Sequence, residues 1–267
     1  MTTSTASSRT GMLPVDDTAL SLTDTRGPGV PVVYLNGSYC GHRPWRPVIS
    51  ELGTGWRHIT YDERARGRSR RSADYSFEAC LRDLDAVLGA TGVDRPLLVG
   101  WSYGASLAVH WADRNPDRVV GVVSVDGAVP YGITGEEARA RIRRLFGRMR
   151  PLLPLLRPFG LSARMSADQH AEINIEINEI CAALGPVLDR ATYPVRYVLA
   201  TDGNLGGDRE EMERMRASLD PVLARNPHLR VSAKVASNHS RILRKDFRAV
   251  AEAVREIAAT HDDQGAR

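Results

Sequence analysis

Residues 95–112, RPLLVGWSYGASLAVHWA, read as a buried strand, a sharp turn and a helix. Leu97, Leu98 and Val99 form a short continuous apolar run of the kind found in parallel strands covered on both faces. Gly100-Trp101-Ser102-Tyr103-Gly104 then fits G-x-S-x-G. A serine at the tip of a tight strand-to-helix turn sits in a strained backbone conformation, and side chains two positions away on either side would collide with it. Gly100 and Gly104 remove those side chains. The helix that follows directs free N–H groups and its positive dipole end at the Ser102 oxygen, which suits nucleophilic attack on a carbonyl.

Outward from this turn, strand and helix patterns alternate. Residues 12–24 hold two short runs that fit paired edge strands joined through Asp16 and Asp17, and residues 26–29 (RGPG) are a turn. The run 31–35 (PVVYL) reads as a central strand leading into Asn36-Gly37-Ser38-Tyr39-Cys40-Gly41. Residues 47–52 read as a short helix and 57–61 as a strand. An amphipathic helix follows over 76–89, with Phe77, Cys80, Leu81, Leu84, Val87 and Leu88 at the helical interval and Ser76 as its N-cap. The strand pattern at 119–126 ends in Asp126. From 131 to 190 the pattern is helical, carried by Ile142, Leu145, Phe146 and Met149 and then by Ile173, Ile177, Ile180, Cys181 and Leu184. Between these runs, Pro151, Pro154 and Pro158 interrupt any straight helix. A strand over 194–200 leads to Asp202, a helix spans 207–226, and a last strand over 229–235 runs into Ser237-Asn238-His239-Ser240. A helix over 246–259 closes the fold, with 1–11 and 261–267 as tails.

The 42% hydrophobic and 25% charged content is that of an ordinary globular protein with a full core. No run approaches the roughly 18 apolar residues of a membrane helix, and the polar first residues lack a signal-peptide h-region, so a cytoplasmic protein without a membrane partner is expected. Cys40, Cys80 and Cys181 are scattered, with neither C-x-x-C nor metal-ligand spacing, and read as reduced thiols; no metal is implied. Of the 36 basic residues only Lys234 and Lys245 are lysines, and the arginines are spread along the chain. A general arginine bias explains the charge of +4 without a nucleic-acid partner. The densest run, 62–72 (DERARGRSRRS), is read as a structural loop.

With this elbow in this context, the sequence resembles the α/β-hydrolase family. The resemblance implies an α/β fold, a mostly parallel central sheet flanked by helices. Its core would span 12–130 and 191–260, with a helical lid at 131–190 inserted after the strand that follows the nucleophile helix. It makes Ser102 the nucleophile and His239, between the last strand and the final helix, its general base. Asn36-Gly37-Ser38 stands where the family has His-Gly-x, so the oxyanion donors would be the Ser38 and Tyr103 amides. Residues 61–69 look like the family's Tyr-Asp-x-Arg-Gly-x-Gly-x-Ser loop, with Ala65 in place of the first glycine. Asp126 is preferred as the acid because haloalkane dehalogenases and zearalenone lactonases place theirs similarly; Asp202, after the strand following the lid, is the alternative. Tyr39, Trp101 and Tyr131 are candidates for the substrate pocket. Serine rather than aspartate at the elbow argues against dehalogenase or epoxide-hydrolase chemistry. The expected activity is hydrolysis of a carboxylic ester or lactone of a small to medium apolar molecule, with no cofactor. An acyltransferase or carbon–carbon bond hydrolase would use the same residues, and a non-catalytic receptor would share the fold. Oligomeric state is left open.

Overall fold

A computed structural model describes residues 8–202 and 209–265. Eight strands form one sheet in the order β1-β2-β4-β3-β5-β6-β7-β8. They are β1 (Arg9–Val15), β2 (Thr18–Asp24), β3 (Pro31–Leu35), β4 (Arg57–Tyr61), β5 (Leu97–Trp101), β6 (Gly121–Val125), β7 (Val195–Ala200) and β8 (Leu229–Val235). β1 and β2 pair antiparallel, as β2 does with β4, and from β4 onward neighbouring strands run parallel. β1 begins at Arg9, so the tail expected over 1–11 is shorter by its last three residues, where Thr10 bonds Thr23 across the hairpin.

The two-residue period of the central strands sorts their side chains into two cores. Val33, Leu35, Leu98 and Val122 face one side, packed with Leu84, Leu88, Leu107 and Trp111 of α2 (Phe77–Thr91) and α3 (Tyr103–Arg114). Val32, Tyr34, Leu97, Val99, Val123 and Val125 face the other, against Val48 of α1 (Arg46–Leu52) and Val250, Val254 and Ile257 further along the chain. Each fully buried side chain of this size contributes about 1.5–3 kcal/mol, so the sheet is held from both faces. Ser76 caps α2, accepting from the Ala79 amide at 3.2 Å.

Between β6 and β7 lie α4 (Glu136–Met149), α5 (Leu153–Leu156), α6 (Ala167–Ala182) and α7 (Gly185–Asp189). Of the apolar positions expected to face inward on α4, Phe146 is buried but Leu145 is 52% exposed. Ser166 and Gln169 form a reciprocal capping box at the start of α6. Where the chain enters this helical segment, Gly132 lies so close to α6 that a Cβ there would be 1.8 Å from the Asn178 carbonyl oxygen. The next amide, that of Ile133, donates to Asn178 Oδ1 at 3.0 Å.

Past β7, the single helix expected over 207–226 is two. α8 (Arg209–Ala217) stops before α9 (Asp220–Arg225), because Pro221 in the first turn of α9 has no amide to continue the ladder; residues 207 and 208 lie outside the described residues. After α10 (Ile242–Lys245), α11 (Phe247–Gly265) runs beyond the expected end at 259, into the stretch read as a tail. Among the described residues no helix is long and apolar enough to cross a membrane.

The arginine-rich loop after β4 is built into this frame. Arg64, fully buried, makes a bidentate pair with Asp83 of α2 at 2.8 Å through both oxygens, and reaches Asp16 in the β1–β2 turn at 2.7 Å. Its remaining nitrogen donates to Ser72 Oγ and the Asp74 carbonyl. Removing one partner of a buried pair leaves the other charge uncompensated. Arg64→Ala is therefore expected to lose about 3–5 kcal/mol in urea denaturation. The double variant Arg64→Met/Asp83→Leu should lose clearly less than the single one.

Candidate functional site

The elbow has the geometry that its glycines imply. Ser102 follows β5 with φ 56° and ψ −117°, a left-handed conformation that costs on the order of 1–3 kcal/mol in a non-glycine residue. Its amide donates to the Val125 carbonyl at 3.0 Å and its carbonyl accepts from Ala105 at 3.0 Å, so both neighbours hold the strained residue. A Cβ on Gly100 would lie 2.3 Å from the Gly104 carbonyl oxygen, and one on Gly104 would lie 2.3 Å from that of Leu35. Backbone thus touches backbone, and the first turn of α3 is pressed against the end of β3.

Two other strand ends carry the acid and the histidine. Asp126 follows β6 with φ 46°, its amide bonded to the Val198 carbonyl and its Oδ1 accepting from the Ala200 amide at 3.1 Å. Its Oδ2 accepts from Nδ1 of His239 at 2.8 Å. The carboxylate side chain is 1% exposed and the imidazole 25%, so the pair is covered on the acid side and open on the histidine side. With Nδ1 carrying the shared proton, Nε2 is the basic nitrogen of the neutral ring. Trp101, the residue before Ser102, lies against that ring with centroids 5.4 Å apart. Asp202 sits in an exposed segment, its amide bonded to the Ser237 carbonyl and its own carbonyl to Arg216.

The 36–40 loop is anchored from below by residues whose roles the sequence left unassigned. Asn36 accepts from the Trp45 indole at 3.0 Å and donates through Nδ2 to the Tyr61 carbonyl and to Glu63 at 2.7 Å; its amide donates to the other Glu63 oxygen. Arg66 donates from Nε to the Ser38 carbonyl at 2.8 Å and from Nη1 to the Arg64 carbonyl. The orientation of the Ser38 peptide therefore depends on a buried arginine in the 62–72 run. Ala65, in place of the family's glycine, takes φ 61°, the left-handed conformation that a glycine would adopt without strain.

The pocket candidates part company. Tyr39 accepts a hydrogen bond from Asn174 of α6 and packs on His170 and Phe146, tying this loop to the helical segment. Tyr131 is half-buried and packs against the main core. The Tyr103 ring is buried edge-on against Phe77, which leaves only its amide for the elbow. Burial pushes the Cys40 and Cys80 thiols up to about 12 and about 11, so neither supplies a thiolate at neutral pH.

Glu63 is the titrating group of this anchor. Burial raises it to about 7, against the opposing pull of Arg66 and the Asn36 hydrogen bonds. A carboxyl raised in the folded state holds its proton there while the unfolded chain has lost it, so stability falls as pH rises from about 4.5 to about 7 and levels off above. Urea midpoints of Glu63→Gln should lack this decline and converge with wild type at the acid end. Parallel pH profiles for the two proteins would remove Glu63 as its source.

Comparison with known proteins agrees with this architecture. The α/β hydrolase fold family profile matches residues 30–201. A haloalkane dehalogenase of Mesorhizobium japonicum is 32% identical over 120 residues, 45% of this chain and 39% of that protein. A 2-hydroxymuconate semialdehyde hydrolase of Pseudomonas sp. strain CF600 is 32% identical over 157 residues, 56% of this chain and 54% of that protein. The matched segments thus span about half or less of these relatives. Among solved structures, an esterase from Exiguobacterium antarcticum superposes with a TM-score of 0.69 at 19% identity, covering 92% of this chain and 98% of the esterase. With the family profile matched from β3 to just past β7, the chain belongs to the α/β hydrolase fold family.

Proposed function

We propose that the protein is a serine hydrolase that cleaves a carboxylic ester or lactone of a small to medium apolar molecule through an acyl-enzyme on Ser102. The observation that carries this reading is the 2.8 Å His239–Asp126 pair, whose imidazole lies against Trp101, the residue before the serine with φ 56°. Ser102 Oγ attacks the carbonyl carbon while His239 Nε2 takes the hydroxyl proton, and the oxyanion is received by the Ser38 and Tyr103 amides. Collapse of the tetrahedral adduct expels the alkoxide, which takes the proton from His239. Water then attacks the acyl-enzyme, giving its proton to His239, which passes it to Ser102 Oγ as the acid product is released. Asp126 holds the tautomer and stabilises the imidazolium without taking the proton. The helical segment at 131–190 acts as a lid whose apolar side chains exclude water from the acyl group.

The serine carries no carboxylate with which to form an alkyl-ester intermediate, so the haloalkane dehalogenase relative is a guide to the fold and to the acid's position only. A second reading, hydrolysis of a semialdehyde, rests on the match over 56% of the chain to the Pseudomonas relative. Acyl transfer to an acceptor other than water and carbon–carbon bond hydrolysis use the same residues, and product analysis with and without an added acceptor separates them from ester hydrolysis.

Incubation with a fluorophosphonate and peptide mass spectrometry should find the adduct on Ser102, absent in Ser102→Ala and much reduced in His239→Ala. Labelling that persists in Ser102→Ala rejects Ser102 as the nucleophile, and no labelling of wild type removes the proposal and favours a non-catalytic receptor. For the acid, Asp126→Asn should lower kcat by several orders of magnitude, on the order of 10⁴ by analogy with other triads, and Asp202→Asn by far less. The reverse ranking transfers the role to Asp202.

A further inference from the structure

A cavity of about 540 Å³, lined by no residue of the elbow, opens between the end of the 36–40 loop, the 62–68 loop and the 157–164 part of the helical segment. Six arginines line it: Arg43, Arg46, Arg66, Arg68, Arg157 and Arg164. About half of the arginines elsewhere are matched to acids, as in Arg114 with Glu78, Arg143 with Glu172, Arg190 with Asp113 and Arg225 with Asp189. Among the described residues none of the six is paired with a carboxylate. Arg157 and Arg164 donate to backbone carbonyls. The one acid on the wall, Asp62, is 1% exposed and engaged by His42 and by the Arg68 amide. Glu63, behind Arg66, is the other carboxyl in range, and its burial keeps it partly protonated near neutrality.

A second observation is independent of this charge imbalance. Arg66 is 2% exposed, and one of its terminal nitrogens, closed to solvent in the wall behind the groove, has no hydrogen-bond partner among the described residues. A charged donor buried without an acceptor is costlier than a neutral one, and the guanidinium fork matches two oxygens of one anion. A concave site of this volume also suits a small molecule.

We propose that this groove is a binding site for a phosphate-type oxyanion, either borne by the substrate or carried by a separate small ligand. The site stands one residue from Ser38, since Tyr39 lines it, but it does not depend on Ser102 being a nucleophile. An anion seated there would be gripped by arginines from three segments and would fasten the helical segment to the two loops beneath it.

Calorimetry with inorganic pyrophosphate at low ionic strength tests this, on wild type and on Ser102→Ala, so that the result stands apart from the catalytic reading. Saturable one-to-one binding to both is expected. It should weaken by about tenfold or more in Arg43→Gln/Arg46→Gln/Arg68→Gln, whose exposed side chains make no hydrogen bond within the protein among the described residues. A control that removes charge away from the groove, Arg118→Gln/Arg248→Gln, should keep wild-type affinity, and thermal melts of both variants report their folding. Competitive inhibition of ester hydrolysis by pyrophosphate assigns the anion to the substrate; inhibition or activation with unchanged KM assigns it to a separate ligand. Absence of saturable binding, or equal weakening in the groove and control variants, overturns the proposal.

Discussion

The approach of α3 to the end of β3 is the constraint from which the site follows. Leu35 and Gly104 meet backbone to backbone, at a separation that even a methyl group would prevent. This contact fixes the first turn of α3 against the start of the 36–40 loop, and it is locked further by the Ser102 amide bonded to Val125 on the next strand. The parallel sheet then sets the remaining distances. β6 and β8 end at the same edge as β5, so the loops after them deliver Asp126 and His239 to the vicinity of the elbow without any long-range adjustment.

Charge is organised around this frame in two ways. Buried arginines do structural work: Arg64 cross-links the first hairpin to α2, and Arg66 sets the Ser38 peptide. Around them stand arginines that face solvent without acids beside them. The same run of sequence supplies both kinds: its first part, through Arg66, is buried, and Arg68, Arg70 and Arg71 beyond it are exposed.

Much of the fold and of the candidate site was legible in the chain itself. The elbow announces itself because glycine spacing is a local steric requirement, and the strands do because apolar runs of five residues leave few other readings. Asp126 and His239 could be named from their places at strand ends. Glu63 and Arg66 could not, because whether a charge in a basic run is buried depends on packing between segments far apart in sequence. Asn36 was visible only as a departure from a family histidine; its bonds to Trp45, Tyr61 and Glu63 explain why an amide serves there, since it both accepts and donates. The division of 209–225 into two helices was marked by Pro221, a signal outweighed by the regular apolar spacing around it.

The contact between Gly132 and the Asn178 carbonyl bears on how the helical segment can move. Its entry segment is riveted to the C-terminal half of α6, and Arg139 adds an ion pair to Glu179 one residue along. A hinge at 132 would have to break that rivet first. α4 and α6, cross-linked also by Arg143 with Glu172, are thus a single leaf.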